Sequence, residues 1–268
     1  MSDDTINKSA LVNLPEMPKS VDNALQNLTD SPTKNIGQTF SDIWYLVFGS
    51  ISHVANKKRI KYAADLEQYQ TQLNQAINLI PEEKRIDPDI QTTAQALENS
   101  KYCISSDILR KMFVNLISGS MNSDMQSFVH PSFPEILKQL SNDDALLLKN
   151  IFQAKQSHFP VAKIGVRTDG NGYNVFYDNV FILDSLDFSP AKCSLSLSSL
   201  QRACLISIDY SRWMSSDREY DILKQTPEYL NMVEFSASLG QSSPYFGKGL
   251  IQLTPLGRSF CSICIEKN

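Results

Sequence analysis

The stretch from Ser105 to Phe152 limits the fold more than any other part of this chain, because its apolar spacing, polar joints and prolines all specify successive helices. Ile108, Leu109, Met112, Phe113, Leu116 and Ile117 recur at steps of three and four, which places them on one wide helical face. Ser105 or Ser106 precedes that run as an N-cap, with Asp107 near the positive end of the helix dipole. A polar joint follows, from Asn122 to His130-Pro131-Ser132-Phe133-Pro134, where two prolines remove backbone donors and bias the residue before each away from helix. A second helix is predicted to begin near Pro134 and to carry Ile136, Leu137 and Leu140. Ser141-Asn142-Asp143-Asp144 then reads as a capping box with Asp in place of Glu, opening a third helix with Leu147, Leu148, Ile151 and Phe152 on its buried side.

The rest of the chain is less uniform. Residues 1–32 are polar and broken by Pro15, Pro18 and Pro32, and are expected to form a loosely held arm. No proline interrupts Thr33 to Ile80, so one long helix, or two broken near Gly49-Ser50, is expected there. Tyr62, Leu66, Tyr69, Leu73, Ala76 and Ile80 alternate steps of four and three, a seam read as packing within the chain rather than as a long coiled coil. Asp87-Pro88 opens another helix whose sparse apolar positions are Ile90, Ala94 and Leu97. After Phe152 the period changes. Val161–Thr168 and Tyr173–Leu183 flank Asp169-Gly170-Asn171-Gly172, a hairpin turn rather than a calcium loop, since the spaced Asp/Asn ligands and the distal Glu are missing. Ser194–Ala203 reads as a helix, Cys204–Tyr210 as a strand, Trp213–Leu239 as a partly helical insertion, and Gly249–Leu253 as a strand. Thr254-Pro255 caps a last helix.

These elements give a mainly α, α+β expectation: an arm (1–32), a helical domain (33–140) and a C-terminal winged-helix-like domain with a β-hairpin (141–268), interrupted by an insertion at about 211–244. Composition agrees with a folded protein, at 42% hydrophobic and 20% charged. Charge excludes a strongly basic nucleic-acid module, because the formal net charge is −4 and both parts are balanced: 13 basic and 16 acidic residues precede Ser141, and 12 and 13 follow from it. The polar N-terminus has no apolar leader core, and five scattered cysteines are an odd number, so a reducing cytoplasm is expected. The apolar run Ile43–Ile51 is about half of the roughly 20 residues that span a bilayer.

The segments IGQTFSDIW, KKRIKYAADLEQYQ, ILRKMFVNLISGSMN, HPSFPEILKQLSNDDALLL, SLSSLQRACLISI and LIQLTPLGRSFCSICI together resemble the abortive-infection alpha family of bacterial proteins over about residues 35–268. The most specific parts are His130-Pro131-Ser132-Phe133, with Leu140-Ser141, and Leu253-Thr254-Pro255-Leu256-Gly257. The resemblance implies antiphage defence and carries no defined catalytic motif. The acidic, proline-bearing stretch Ser211–Pro244 departs from the pattern.

Residue chemistry leaves a short set of candidates. His130, with Asp124, Ser132 and Glu135 nearby in sequence, has the parts of a base and its orienting carboxylate, yet a bracing role in the joint is the expected one. Cys261 and Cys264 have the spacing of half a zinc or redox site but lie in an apolar helix, where Cys behaves as a small hydrophobe. Lys57, Lys58, Arg59 and Lys61 follow the apolar Ile43–Phe48 segment, the pairing of an interfacial helix, and also suit phosphate; a solvated helix face is the default. Phosphate loops, HExxH and nucleophile elbows are missing. The expectation is a sensor or effector that works through contacts with a phage or host protein, with nucleic acid or a second copy of the chain as further candidate partners and no cofactor. The alternatives are a membrane-perturbing effector built on residues 43–61 and an enzyme using His130 with nearby carboxylates.

Overall fold

The computed structural model describes residues 38–48, 56–154, 156–168, 172–241 and 243–265, and the side chains of residues 38, 39, 41 and 56–60 are outside that description. The expected arm, the Gly49-Ser50 break and the Asp169–Asn171 turn therefore lie outside the described residues.

The Ser105–Phe152 helices form as their spacing dictates. Three helices are α4 (Asp107–Ser120), α5 (Phe133–Gln139) and α6 (Asn142–Gln153). Ser106 caps α4 by accepting from the Leu109 amide. Ser141 and Asp144 form the reciprocal capping box at α6, with the Ser141 amide donating to Asp144 and the Asp144 amide to Ser141. Ahead of them stand α1 (Gln38–Phe48), α2 (Asn56–Asn78) and α3 (Ile90–Ser100). The apolar face of α1 is inside: Trp44 lies 4.4 Å from Phe48 and 6.0 Å from Tyr69 of α2, ring centre to ring centre. The α2 seam packs within the chain through buried Leu66, Tyr69, Leu73 and Ile80.

The sparse apolar positions of α3 do not by themselves define its buried face. Ile90 is exposed and Ala94 half-buried, while Thr93, Ala96, Leu97 and Ser100 are fully buried. Four apolar residues in eleven, two of them alanines, are too few to fix a face by burial alone, so docking decides. Small hydroxyl residues let α3 approach α4, where Thr93 Oγ1 meets Ser120 Oγ at 3.5 Å.

The C-terminal part is a four-stranded antiparallel sheet in the order β2-β1-β4-β3, with β1 (Phe159–Arg167), β2 (Tyr173–Val180), β3 (Ile206–Asp209) and β4 (Tyr245–Leu253). Between strands lie α7 (Pro190–Arg202), α8 (Pro227–Ser238) and, after β4, α9 (Pro255–Cys264). The β1 side chains alternate between two cores. Phe159 and Val161 join the large core that runs from Phe40 to Ile265, whereas Ala162, Ile164 and Val166 face a smaller core completed by Tyr220, Leu223 and Met232. The insertion thus acts as the cover for the second face of the sheet. Tyr220 ties it down: the phenol donates to the Gly249 carbonyl and accepts from the Met214 amide, each at 2.9 Å.

Candidate functional site

The residues that carry the family resemblance assemble into two structural joints. At the first, His130 is exposed, and its Nδ1 accepts from the Ser132 amide at 3.1 Å and pairs with Ser132 Oγ at 2.7 Å. Asp124 turns away to pair with Lys84 at 2.6 Å, and Glu135 engages Asn99, Lys138 and Gln139. His130 is thus hydrogen-bonded within its own turn, and neither carboxylate is bonded to it. Phe133 drops from this turn into the core, where its ring meets Phe260 of α9 edge to face at 5.2 Å.

At the second joint α7 ends on Cys204, a non-glycine residue at φ 58°. The Cys204 carbonyl accepts from Thr254 Oγ1 at 2.6 Å, and the Leu205 carbonyl from the Thr254 amide at 3.0 Å. The same Oγ1 caps α9 by accepting from the Gly257 amide at 2.9 Å. Gly257 is required by contact: a Cβ there would overlap the Leu205 carbonyl. Thr-Pro-Leu-Gly is a clamp between the end of α7 and the start of α9.

Cys261 and Cys264 are both buried in α9, and burial raises both thiols well above their ordinary range. Among the described residues no group of three or more His, Cys, Asp or Glu could hold a metal ion. Cys103 is also buried and its thiol raised by burial, Cys193 is pushed up to about 11, and Cys204 alone is exposed. Ellman's reagent at pH 8 should therefore titrate one thiol rapidly in the native chain and all five after denaturation; Cys204→Ser should remove the fast phase.

Of the basic cluster, Lys57, Lys58 and Arg59 carry side chains outside the described residues, while Lys61 is exposed on α2. The α1 helix before them has Ile43, Trp44, Val47 and Phe48 committed to the core. Among the described residues no helix is long and apolar enough to cross a membrane.

Two surface features went unread in the sequence. The first is the outer face of α8 and the neighbouring β2. The buried residues of α8 are Met232 and Ser236, whereas Leu230 is 52% exposed and Val233 and Phe235 about two-fifths. Phe235 meets Phe176 of β2 at 5.8 Å, itself exposed, and Tyr173 at the strand end stacks on Tyr245 at 3.8 Å. Apolar residues at 229, 230, 232, 233, 235 and 239 outnumber what one buried face needs, and that excess was the available signal. Five cations around the sheet are paired with carboxylates: Lys163 with Asp178, Lys248 with Asp217, Lys224 with Asp221, Arg212 with Asp209 and Lys192 with Asp143.

The second is a cleft of about 460 Å³ where the end of α2, the last turns of α4 and α9 meet. Leu79, Ile80, Met125 and Ile263 supply apolar wall, with Asn115 and Ser118 among the polar groups. Its residues come from three segments, 76–81, 115–125 and 262–265, that are far apart in sequence, so spacing gave no hint of it.

A family model described as abortive infection alpha matches residues 61–264. No curated protein matches. Among solved structures, an uncharacterized protein from the hydrocarbon-degrading marine bacterium Alcanivorax borkumensis SK2 is 15% identical, with 53% of this chain and 94% of that one covered at a TM-score of 0.34.

Proposed function

Since the chain belongs to the abortive infection alpha family, we propose that it acts in bacterial antiphage defence as a sensor or effector that works through contact with a phage or host protein. The observation that carries the protein-contact reading is the apolar outer face of α8 with Phe176, left exposed among the described residues. The five free thiols accord with a cytoplasmic setting. We read α6, β1, α7, β3, β4 and α9 as a winged-helix-like module within residues 141–268, extended by β2 and carrying the α8 cover as its partner-facing layer; residues 33–140 transmit or execute the response. The position of β4 between β1 and β3 supports that reading.

A protein partner is favoured over nucleic acid because the chain carries a formal net charge of −4 and four lysines and one arginine on the sheet side are already paired with carboxylates. The membrane alternative would require α1 to leave the core, exposing Trp44 and Phe48.

Replacing Leu230, Val233 and Phe235 together with Asp should abolish phage protection while the melting temperature stays within about 5 °C of the parent, since all three are solvent-facing. Retained protection at matched abundance would remove this surface from the account. Charge reversal of Lys57, Lys58, Arg59 and Lys61 serves as the control and should leave protection intact.

A further inference from the structure

We propose that the flank of α8 bordering β2 receives a basic amphipathic segment of the protein partner, one that presents apolar side chains beside lysine or arginine. This rests on the protein-contact reading and specifies the chemistry of what binds there.

The first ground is where the exposed apolar residues stand. Glu228, Met232, Phe235 and Leu239 follow one another at steps of four, three and four, so they share one side of α8 and its C-terminal cap. Met232 turns inward to the sheet, but Phe235 and Leu239 stay 40% and 53% exposed. Phe176 of β2, also exposed, meets Phe235 edge to face at 5.8 Å. Among the described residues β2 is the outermost strand of the sheet, so no further strand covers this border. A row of apolar anchors along a helix is what an amphipathic segment lays its own apolar face against.

The second ground is charge. From Gln225 to Gly247 the chain has no lysine or arginine, and its only acidic residues there are Glu228 and Glu234. β2 adds one charged residue, Asp178, already paired with Lys163 at 3.5 Å. The cations that flank this stretch, Lys224 and Lys248, are taken by Asp221 and Asp217. Arg167, which has no carboxylate partner among the described residues, stands past the C-terminal end of α8, where its amide donates to Gln241 Oε1 and its carbonyl accepts from Gln241 Nε2. The charges that α8 itself presents are therefore all negative.

The third ground is the state of Glu228. Its Oε2 is buried with no hydrogen-bond partner, and among the described residues neither Glu228 nor Glu234 has a cation beside it. The Glu228 side chain is only half-buried, which leaves the carboxylate open to a cation from outside the chain. A carboxylate partly stripped of water costs free energy until a counter-charge meets it, and an ammonium or guanidinium of the partner supplies one. An acidic partner would add repulsion instead, so this rim sets the sign of the segment that binds.

The test measures binding of two short labelled amphipathic peptides to the full chain by fluorescence anisotropy, one of leucine and lysine and one of leucine and glutamate. The lysine peptide should bind saturably, with affinity that falls as salt is raised, and the glutamate peptide should bind at least about ten-fold more weakly. Glu228→Gln with Glu234→Gln should weaken the lysine peptide by about ten-fold. Glu82→Gln with Glu83→Gln makes the same change of net charge at another exposed site and should leave its affinity within about two-fold. Phe176→Ser with Leu239→Ser, both solvent-facing, should also cost about ten-fold. Equal binding of the two peptides, unchanged binding in the Glu228 and Glu234 variant or in the Phe176 and Leu239 variant, or an equal loss in the Glu82 and Glu83 variant would overturn the assignment. Any of these results together with lost phage protection in the Leu230, Val233 and Phe235 variant strikes the partner chemistry alone, whereas retained protection in that variant strikes the contact reading itself.

Discussion

Gly257→Ala should lower the unfolding free energy by about 3 kcal/mol or more, seen as a shift of the urea midpoint at unchanged slope. The new Cβ would have to occupy the space of the Leu205 carbonyl, and backbone on both sides leaves no flexible neighbour to give way. That carbonyl accepts from the Thr254 amide, and its neighbour on Cys204 accepts from Thr254 Oγ1, so a displaced α9 also breaks the clamp. Folded domains are stable by only about 5–15 kcal/mol, which makes this single methyl a large fraction of the total. Gly119→Ala is the matched control: it meets only Ile263 at ordinary contact distance and should cost about 1 kcal/mol or less.

Phe133→Ala is expected to cost about 3–5 kcal/mol, because the ring is fully buried and its removal leaves a cavity against Phe260. Here too denaturant titration is the measurement, and a cost below about 1 kcal/mol would show that the first joint carries little packing energy. The interest of this variant lies in where its neighbour points. His130, three residues earlier, is exposed and bonded to Ser132, so the two residues of one short motif separate into a core anchor and a turn brace.

Much of this architecture was readable from the residues. Ser106, Ser141 with Asp144, and Thr254 were identifiable as caps because capping is local chemistry, set within four residues. The hairpin strands were legible through their β-branched and aromatic runs. The α3 face was not legible because Thr93 and Ser100, polar by type, are fully buried, Thr93 against Ser120 of α4. The insertion was readable as partly helical, but its role as cover for the second face of the sheet depends on Tyr220 reaching Gly249, a contact 29 residues away that no periodicity encodes. The cleft escaped notice for the same reason. The resemblance segments were legible as family marks, and the structure supplies their physical content: Phe133 and the Thr254–Gly257 clamp hold helices and sheet against one core.

An account in which the His130 motif builds structure, and defence works through surface contacts, is tested most directly by plating phage on cells carrying His130→Ala at parental abundance. Loss of the imidazole should leave protection undiminished, with at most about 1 kcal/mol of lost stability from the two contacts to Ser132. Protection lost in a chain that melts like the parent would contradict the account and place chemistry at His130.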